Sequence, residues 1–322
     1  MILMRWPILC TVVLSLSIVA SGCSAFDEGG ADSDDGVTVA AAFYPLAYVA
    51  ERVAGDHADV ELLTQPGTEP HDLELDVGET AEIASADLVV FQHDFQPAVD
   101  DAVEQNAEGV PLDASEVVDL LAAEESHGEH EEHEGEAHEG EEHEGEEHDH
   151  GDTDPHFWQD PLRVADLADA VADELAEIDP DHGDDYRSNA ADLRTDLQSL
   201  DDDYVAGLAD CERDTIVVSH DAFGYLEKYG VHLAPLVGLS PDAEPTPAVV
   251  GELQELIADE GITTVFSEPL EPDLVESLAA DLDLGTATLD PIEGLTDASS
   301  GEDYLSLMRS NLDAIREANG CR

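Results

Sequence analysis

The sequence predicts an α/β protein of two lobes, each a mostly parallel sheet flanked by helices, with a long helix joining them. Two observations carry this reading. From Val37 onward, short apolar runs alternate with helical segments, the order that builds parallel sheets covered on both faces. Residues 161–209 then hold two consecutive helical patterns with no strand between them, after which the alternation resumes. With 42% hydrophobic residues in a chain of 322, there is enough apolar material for two cores of ordinary size.

In the first lobe the strand candidates are Val37–Ala42, Val60–Leu63 and Leu88–Gln92, with helices at Leu46–Ala54 and Pro97–Asn106. Pro161–Ile178 and Asp181–Leu208 read as the two consecutive helices. The second keeps Ala190, Leu193, Leu197, Leu200 and Tyr204 on one face at helical spacing. The second lobe offers strands at Thr215–Ser219, Leu233–Val237, Thr263–Phe266 and Thr286–Leu289, and helices at Pro247–Glu260 and Pro272–Ala280. The expected organisation is a signal at 1–23, an acidic tether at 24–36 and a first lobe at 37–160. Connecting helices follow at 161–209, and a second lobe at 210–322.

At the N-terminus, Arg5 precedes an apolar run from Ile8 to Ala20, too short to span a bilayer, which needs about 20 residues. The run ends in Ala20-Ser21-Gly22-Cys23. Small residues before a cysteine make Cys23 a candidate for lipidation; cleavage with Cys23 as a bystander is the alternative. Export implies an oxidising compartment. Cys10 lies in the signal and Cys23 at its end, which leaves Cys211 and Cys321 as candidates for a disulfide, or as two free thiols.

Charge sets the second boundary on function. Asp and Glu number 79 against 10 Lys and Arg, giving a formal net charge of -69, and Lys228 is the single lysine. Self-repulsion on this scale is screened within about 3 Å at molar salt, so the surface reads as that of a halophile's protein. Nucleic acid is excluded as a partner, because no basic face exists to neutralise phosphates.

Between 124 and 153 the composition shifts to Glu, Gly and His in a loose repeat. The histidines are His127, His130, His133, His138, His143, His148 and His150. With no large apolar residue, the segment cannot bury a core and is expected to be a loop that binds divalent cations weakly.

Three other histidines have distinctive contexts. His71 follows the strand Val60–Leu63 in Glu69-Pro70-His71-Asp72. His156 lies in Asp154-Pro155-His156-Phe157-Trp158-Gln159-Asp160-Pro161. His220 ends the strand Thr215–Ser219 in Ser219-His220-Asp221-Ala222-Phe223-Gly224-Tyr225. Asp290, in Leu289-Asp290-Pro291, also ends a strand. Parallel sheets bind ligands beyond the carboxyl ends of their strands. Three imidazoles with one carboxylate or water suit Zn2+, whereas Mn2+ favours more carboxylate. The remaining histidines His57, His93, His182 and His232 have no such context; His93 follows a strand and could approach the cleft, but reads as structural.

Taken in order, these motifs resemble the zinc-specific substrate-binding proteins of ABC importers, the ZnuA-like group, over residues 37 to 322. The shared features include Ser267-Glu268-Pro269 and Asp290-Pro291. The resemblance implies that His71, His156, His220 and Asp290 hold Zn2+ in the cleft between lobes, with Asp290 or a water completing the shell. It implies Glu268 as an orienting carboxylate or a lobe-packing one. It implies a monomer anchored by lipid to the outer face of the cell membrane, which delivers zinc to a membrane ABC permease without catalysis. Two departures stand out: Leu73 replaces a frequent aromatic, and Pro70 occupies a place where some zinc members carry Glu. The rival readings are an Mn2+ or Fe2+ binder of the same group, a surface adhesin or zinc buffer, and a secreted zinc hydrolase. The hydrolase would need a general base, and no His-Glu-x-x-His helix or nucleophile elbow is present.

Overall fold

The computed structural model describes residues 36–123, 153–270, 273–296 and 298–322. The signal, most of the tether, Cys23 and the seven histidines of the acidic loop lie outside the described residues. The first lobe runs β1 (Val37–Ala41), α1 (Tyr44–Ala54), β2 (Ala58–Leu62), α2 (Val77–Ser85), β3 (Leu88–Phe91), α3 (Pro97–Asn106), β4 (Val110–Asp113) and a short α4 (Ala114–Val117). Its four strands form a parallel sheet in the order β2-β1-β3-β4. The central β3 is buried along its whole length, as expected for a strand covered on both faces.

Three strands are not marked by the sequence pattern. β4 carries Pro111 in its middle, which a central strand could not accept. It lies at the sheet edge, paired only with β3, where the missing N–H costs no ladder bond. β5 (Leu121–Ala122) and β6 (Thr153–Asp154) pair antiparallel and bracket the acidic loop.

After a single 3-10 turn at Phe157–Gln159, α5 (Pro161–Ile178) and α6 (Gly183–Gly207) pack along each other. α5 starts where Asp160 accepts a hydrogen bond from the Leu162 N–H and Pro161 takes the first helical position. α6 buries the five residues that the spacing placed on one face. It reaches both lobes. Near its start, the Asn189 side chain donates to the Val53 carbonyl at the end of α1, and Asp196 pairs with Arg52. Near its end, the buried Tyr204 hydroxyl donates to the Met308 carbonyl.

The second lobe runs β7 (Thr215–Val218), β8 (His232–Pro235), α7 (Pro247–Glu260), β9 (Thr264–Ser267), α8 (Asp273–Leu282), β10 (Gly285–Thr288) and α9 (Tyr304–Asn319). Its parallel sheet has the order β10-β9-β7-β8. α7 has Thr246 as N-cap, Pro247 at its start and Gly261 at φ +66 after its end, the asymmetry that defines helix termini. One apolar core runs through both lobes and includes Phe43, Trp158 and Tyr304. Across the lobes, Trp158 and Gln159 both donate to the Pro291 carbonyl, at 2.8 and 2.6 Å, and Tyr304 donates to the Trp158 carbonyl. Lys228, in a 3-10 segment after β7, contacts Asp160 at the start of α5 and Asp201 on α6. The single lysine therefore ties the second lobe to the connecting helices. Cys211 and Cys321 lie sulfur to sulfur, joining the segment after α6 to the end of α9.

Candidate metal centre

Two of the three histidines singled out by their motifs, His156 and His220, sit just beyond a strand end. His71 lies on the loop after β2. The Gln96 side chain donates to the Pro70 carbonyl beside it and to the Thr64 hydroxyl, fixing the loop. His156 follows β6, which is held from the other lobe: the Tyr225 hydroxyl accepts from the Leu121 N–H and donates to the Asp154 carbonyl. His220 ends β7. All three rings are buried, and His156 and His220 have no solvent exposure.

Two of the rings are held by the same device. One oxygen of Asp154 accepts from both the backbone N–H and Nδ1 of His156, at 2.9 and 2.8 Å. One oxygen of Glu268, just past β9, accepts from both the backbone N–H and Nδ1 of His220, at 3.2 and 2.8 Å. A carboxylate that accepts from Nδ1–H keeps the proton of the neutral ring on that nitrogen, so Nε2 offers its lone pair to a metal. Phe95 meets the His71 ring edge-on at 4.6 Å and also packs on Phe43 and Trp158. Phe95 thus supplies the aromatic contact that Leu73, itself buried in the core, does not.

The three Nε2 atoms converge on one carboxylate oxygen, Oε1 of Glu293, at 3.6 Å from His71, 3.3 Å from His156 and 3.2 Å from His220. A tetrahedral cation with bonds of about 2.0–2.1 Å would hold its ligand atoms about 3.3–3.4 Å apart. The three separations from Glu293 Oε1 lie close to that edge length. The donors of His71, His156, His220 and Glu293 lie within 4.8 Å of one another, and all four residues are buried.

Electrostatics agree with a cation at this place. Burial opposes charge on Glu293, but the three imidazoles hold its carboxyl well below the usual range. Burial likewise opposes charge on His156, yet Asp154 and Glu293 push it up to about 9. His220 is raised through Glu268 and Glu293 against its own burial. His71 is lowered, because burial outweighs the attraction of Glu293. The centre attracts positive charge, and protons compete with a metal for the two carboxylate-clasped rings.

A profile of the family described as ZnuA, zinc-uptake complex component A, periplasmic, matches residues 39–318. The chain belongs to this family. Among relatives, the zinc-binding lipoprotein AdcA of Streptococcus pneumoniae strain R6 is 32% identical over 311 residues, covering 93% of this chain and 60% of AdcA. The chain therefore spans less than two thirds of that relative. The high-affinity zinc uptake system protein ZnuA of Bacillus subtilis is 31% identical over 323 residues, covering 98% of both chains. The Zn(II)-bound ZnuA-like domain of S. pneumoniae AdcA superposes with a TM-score of 0.69 at 30% identity, covering 88% of this chain and 99% of the domain.

Within this ZnuA-family fold the fourth donor beside the imidazoles is Glu293, and Asp290 stands outside the cluster. Asp290 is occupied otherwise. Its Oδ1 accepts from the Ile292 N–H at 2.8 Å, and its backbone exchanges two hydrogen bonds with the Asn311 side chain. Ile292 sits at φ +61, a region that β-branched residues rarely adopt. That corner, fixed by Asp290 and by the two donors to the Pro291 carbonyl, swings the chain so that Glu293 faces the rings. Glu268 is placed as an orienting carboxylate on His220. Asp154 belongs to the Asp154-Pro155-His156 motif, but nothing in that motif announces its clasp on His156. Glu69, half-buried, accepts from the His71 N–H, and desolvation beside Glu293 pushes it up to about 8.

Proposed function

We propose that this protein captures Zn2+ outside the cytoplasm and delivers it to a membrane ABC permease, with His71, His156, His220 and Glu293 as the ligands. The convergence of three Nε2 lone pairs on one carboxylate oxygen, at close to tetrahedral edge length, carries this reading. Three nitrogens and one oxygen favour zinc over Mn2+, which prefers more oxygen donors. Four buried protein donors leave no open position for a reacting water, which speaks for binding and against the hydrolase reading. The names of AdcA and ZnuA among the relatives support zinc and uptake.

The remaining parts of the reading fit the same role. Lipidation of Cys23 would hold the protein at the outer face of the membrane, in line with the lipoprotein name of AdcA. α6, packed on both lobes, would restrict opening to a small motion. The loop histidines His127 to His150 would serve as an auxiliary capture segment, and the acidic surface would suit high salt.

Metal analysis of protein purified without added metal, followed by competition among Zn2+, Mn2+ and Fe2+, tests the proposal. One equivalent of zinc, retained against the other two, is expected; a preference for manganese or turnover of an ester or peptide substrate would refute it.

Three further outcomes are expected. Asp154→Asn should weaken zinc binding by about 10–100-fold, the usual effect of losing a partner that orients a ligand ring. Isothermal titration of the variant measures it, with Asp119→Asn, remote from the rings, unchanged. Zinc affinity should also depend on pH. Because the unliganded His156 is raised to about 9, protons compete with the metal at every pH below that value. Apparent affinity therefore rises from pH 6 toward pH 9, and binding at pH 7 releases protons. Titration in buffers of different ionisation enthalpy detects the release. Finally, Cys211 and Cys321, 110 residues apart, would as a disulfide stabilise the fold by about 4–5 kcal/mol in the chain-entropy model. Cys321→Ser should then lower Tm by about 8 °C or more in a thermal melt under oxidising conditions.

A further inference from the structure

A second group of metal-ligating side chains, His93, Asp94 and Asp100, has its two acids on the wall of the cleft that His71 also lines. His93 follows the carboxyl end of β3, Asp94 comes next, and Asp100 stands in the first turn of α3. One donor atom from each of the three falls within 4.8 Å of the others. The His93 ring nitrogens face both carboxylates, at 3.4 Å from Asp100 and 3.5 Å from Asp94. Oδ2 of Asp100 is engaged by the Asp94 N–H and the His93 ring. Its Oδ1 is buried and has no hydrogen-bond partner among the described residues. A buried carboxylate oxygen without a donor is costly, and a cation shared with Asp94 and His93 would satisfy it.

The surroundings lead inward. Asp94 and Asp100 line a cleft of about 830 Å³ with His71 on its wall, and Asp72, Glu74 and Asp242 line it too. Ser240 and Asp242 come from the second lobe, so the cleft lies between the lobes.

We propose that His93, Asp94 and Asp100 form a second, weaker site for a divalent transition-metal cation, at the wall of the cleft that His71 also lines. One imidazole and two carboxylates are a harder donor set than three imidazoles and one carboxylate, so this site discriminates less among metals. The side chains of His93 and Asp94 are 57% and 64% exposed, which leaves room for waters to complete the shell and for the ion to exchange quickly. That the site feeds the inner centre rests on the proposed function; that it binds a cation does not.

Isothermal titration with Zn2+ on the full chain tests it, comparing the unaltered protein with His93→Ala and with His93→Ala/Asp100→Asn. The acidic loop is present in all three proteins, so its weak binding cancels in the comparison. Asn at 100 keeps an oxygen to accept the Asp94 N–H, and His93→Ala alone removes only an exposed side chain. Both variants should lose one weak equivalent and keep the tight equivalent unchanged. Crystals grown in millimolar zinc should show an anomalous zinc peak bonded to His93, Asp94 and Asp100. Identical isotherms, loss of the tight equivalent in the variants, or no anomalous peak at His93 would each overturn the proposal. Failure of the inner centre would show instead as a missing tight equivalent in the unaltered protein.

Discussion

Replacing His220 by alanine is expected to weaken zinc binding by about a thousandfold or more. The ring contributes one of three nitrogens to the shell and also shields two acidic groups. Glu268 spends one oxygen on His220 Nδ1, and Glu293 faces Nε2. Removing the imidazole leaves both buried carboxyls without that partner, and breaking a buried charged pair typically costs about 3–5 kcal/mol. A loss of about 4 kcal/mol in binding is roughly a thousandfold in Kd. Competition titration against a chelator of known affinity reads the change. His232→Ala, an exposed histidine on the edge strand β8, should leave affinity unchanged. Equal affinities for the two variants would remove His220 from the shell.

The second large effect separates two neighbouring acids. Glu293→Gln should weaken zinc binding by about a hundredfold or more, because it deletes the only anionic donor among the four converging atoms. Asp290→Asn should change affinity by no more than about threefold. The asparagine oxygen can still accept the Ile292 N–H, and that bond is what Asp290 contributes. Asp290→Ala, which loses the acceptor, should fall between the two. The reverse order, with Asp290→Asn the more damaging of the conservative pair, would return Asp290 to the shell and make Glu293 a spectator.

The difference between these two acids also marks how far the sequence could be read. A strand-end rule finds residues that stand immediately beyond a parallel strand, and it served for His220. It fails when the functional carboxylate lies three residues further on. Glu293 reaches the rings only because Ile292 adopts a left-handed backbone conformation, and nothing in Pro-Ile-Glu announces such a turn. Asp154 was visible in its motif, yet its grip on both the backbone and ring of His156 depends on the short return through Pro155. Glu268, by contrast, is offered by the resemblance alone, as an orienting or a lobe-packing carboxylate, and its oxygen accepts from His220 Nδ1.

The fold was legible where patterns were long. α5 starts and stops at Pro161 and Ile178 as read, because Asp160-Pro161 is a strong start signal and the apolar spacing persists. α3 and α7 also keep both expected ends, each opening on a proline. α2 was not singled out, although Asp76 and Glu79 form a capping box that could have revealed it. Its nine residues carry one buried side chain, Ile83, so the apolar stripe was too faint. α9 was missed for a different reason. Its caps at Asp303 and Gly320 are present, but it follows the last strand, where the strand–helix alternation no longer marks a helix.

A crystal structure of the zinc-loaded protein tests the central claim most directly. One zinc ion bonded at about 2.0–2.1 Å to Nε2 of His71, His156 and His220 and to an oxygen of Glu293 is the expected result. A shell closed by Asp290, or a zinc that leaves any of the three rings unbound, would contradict it.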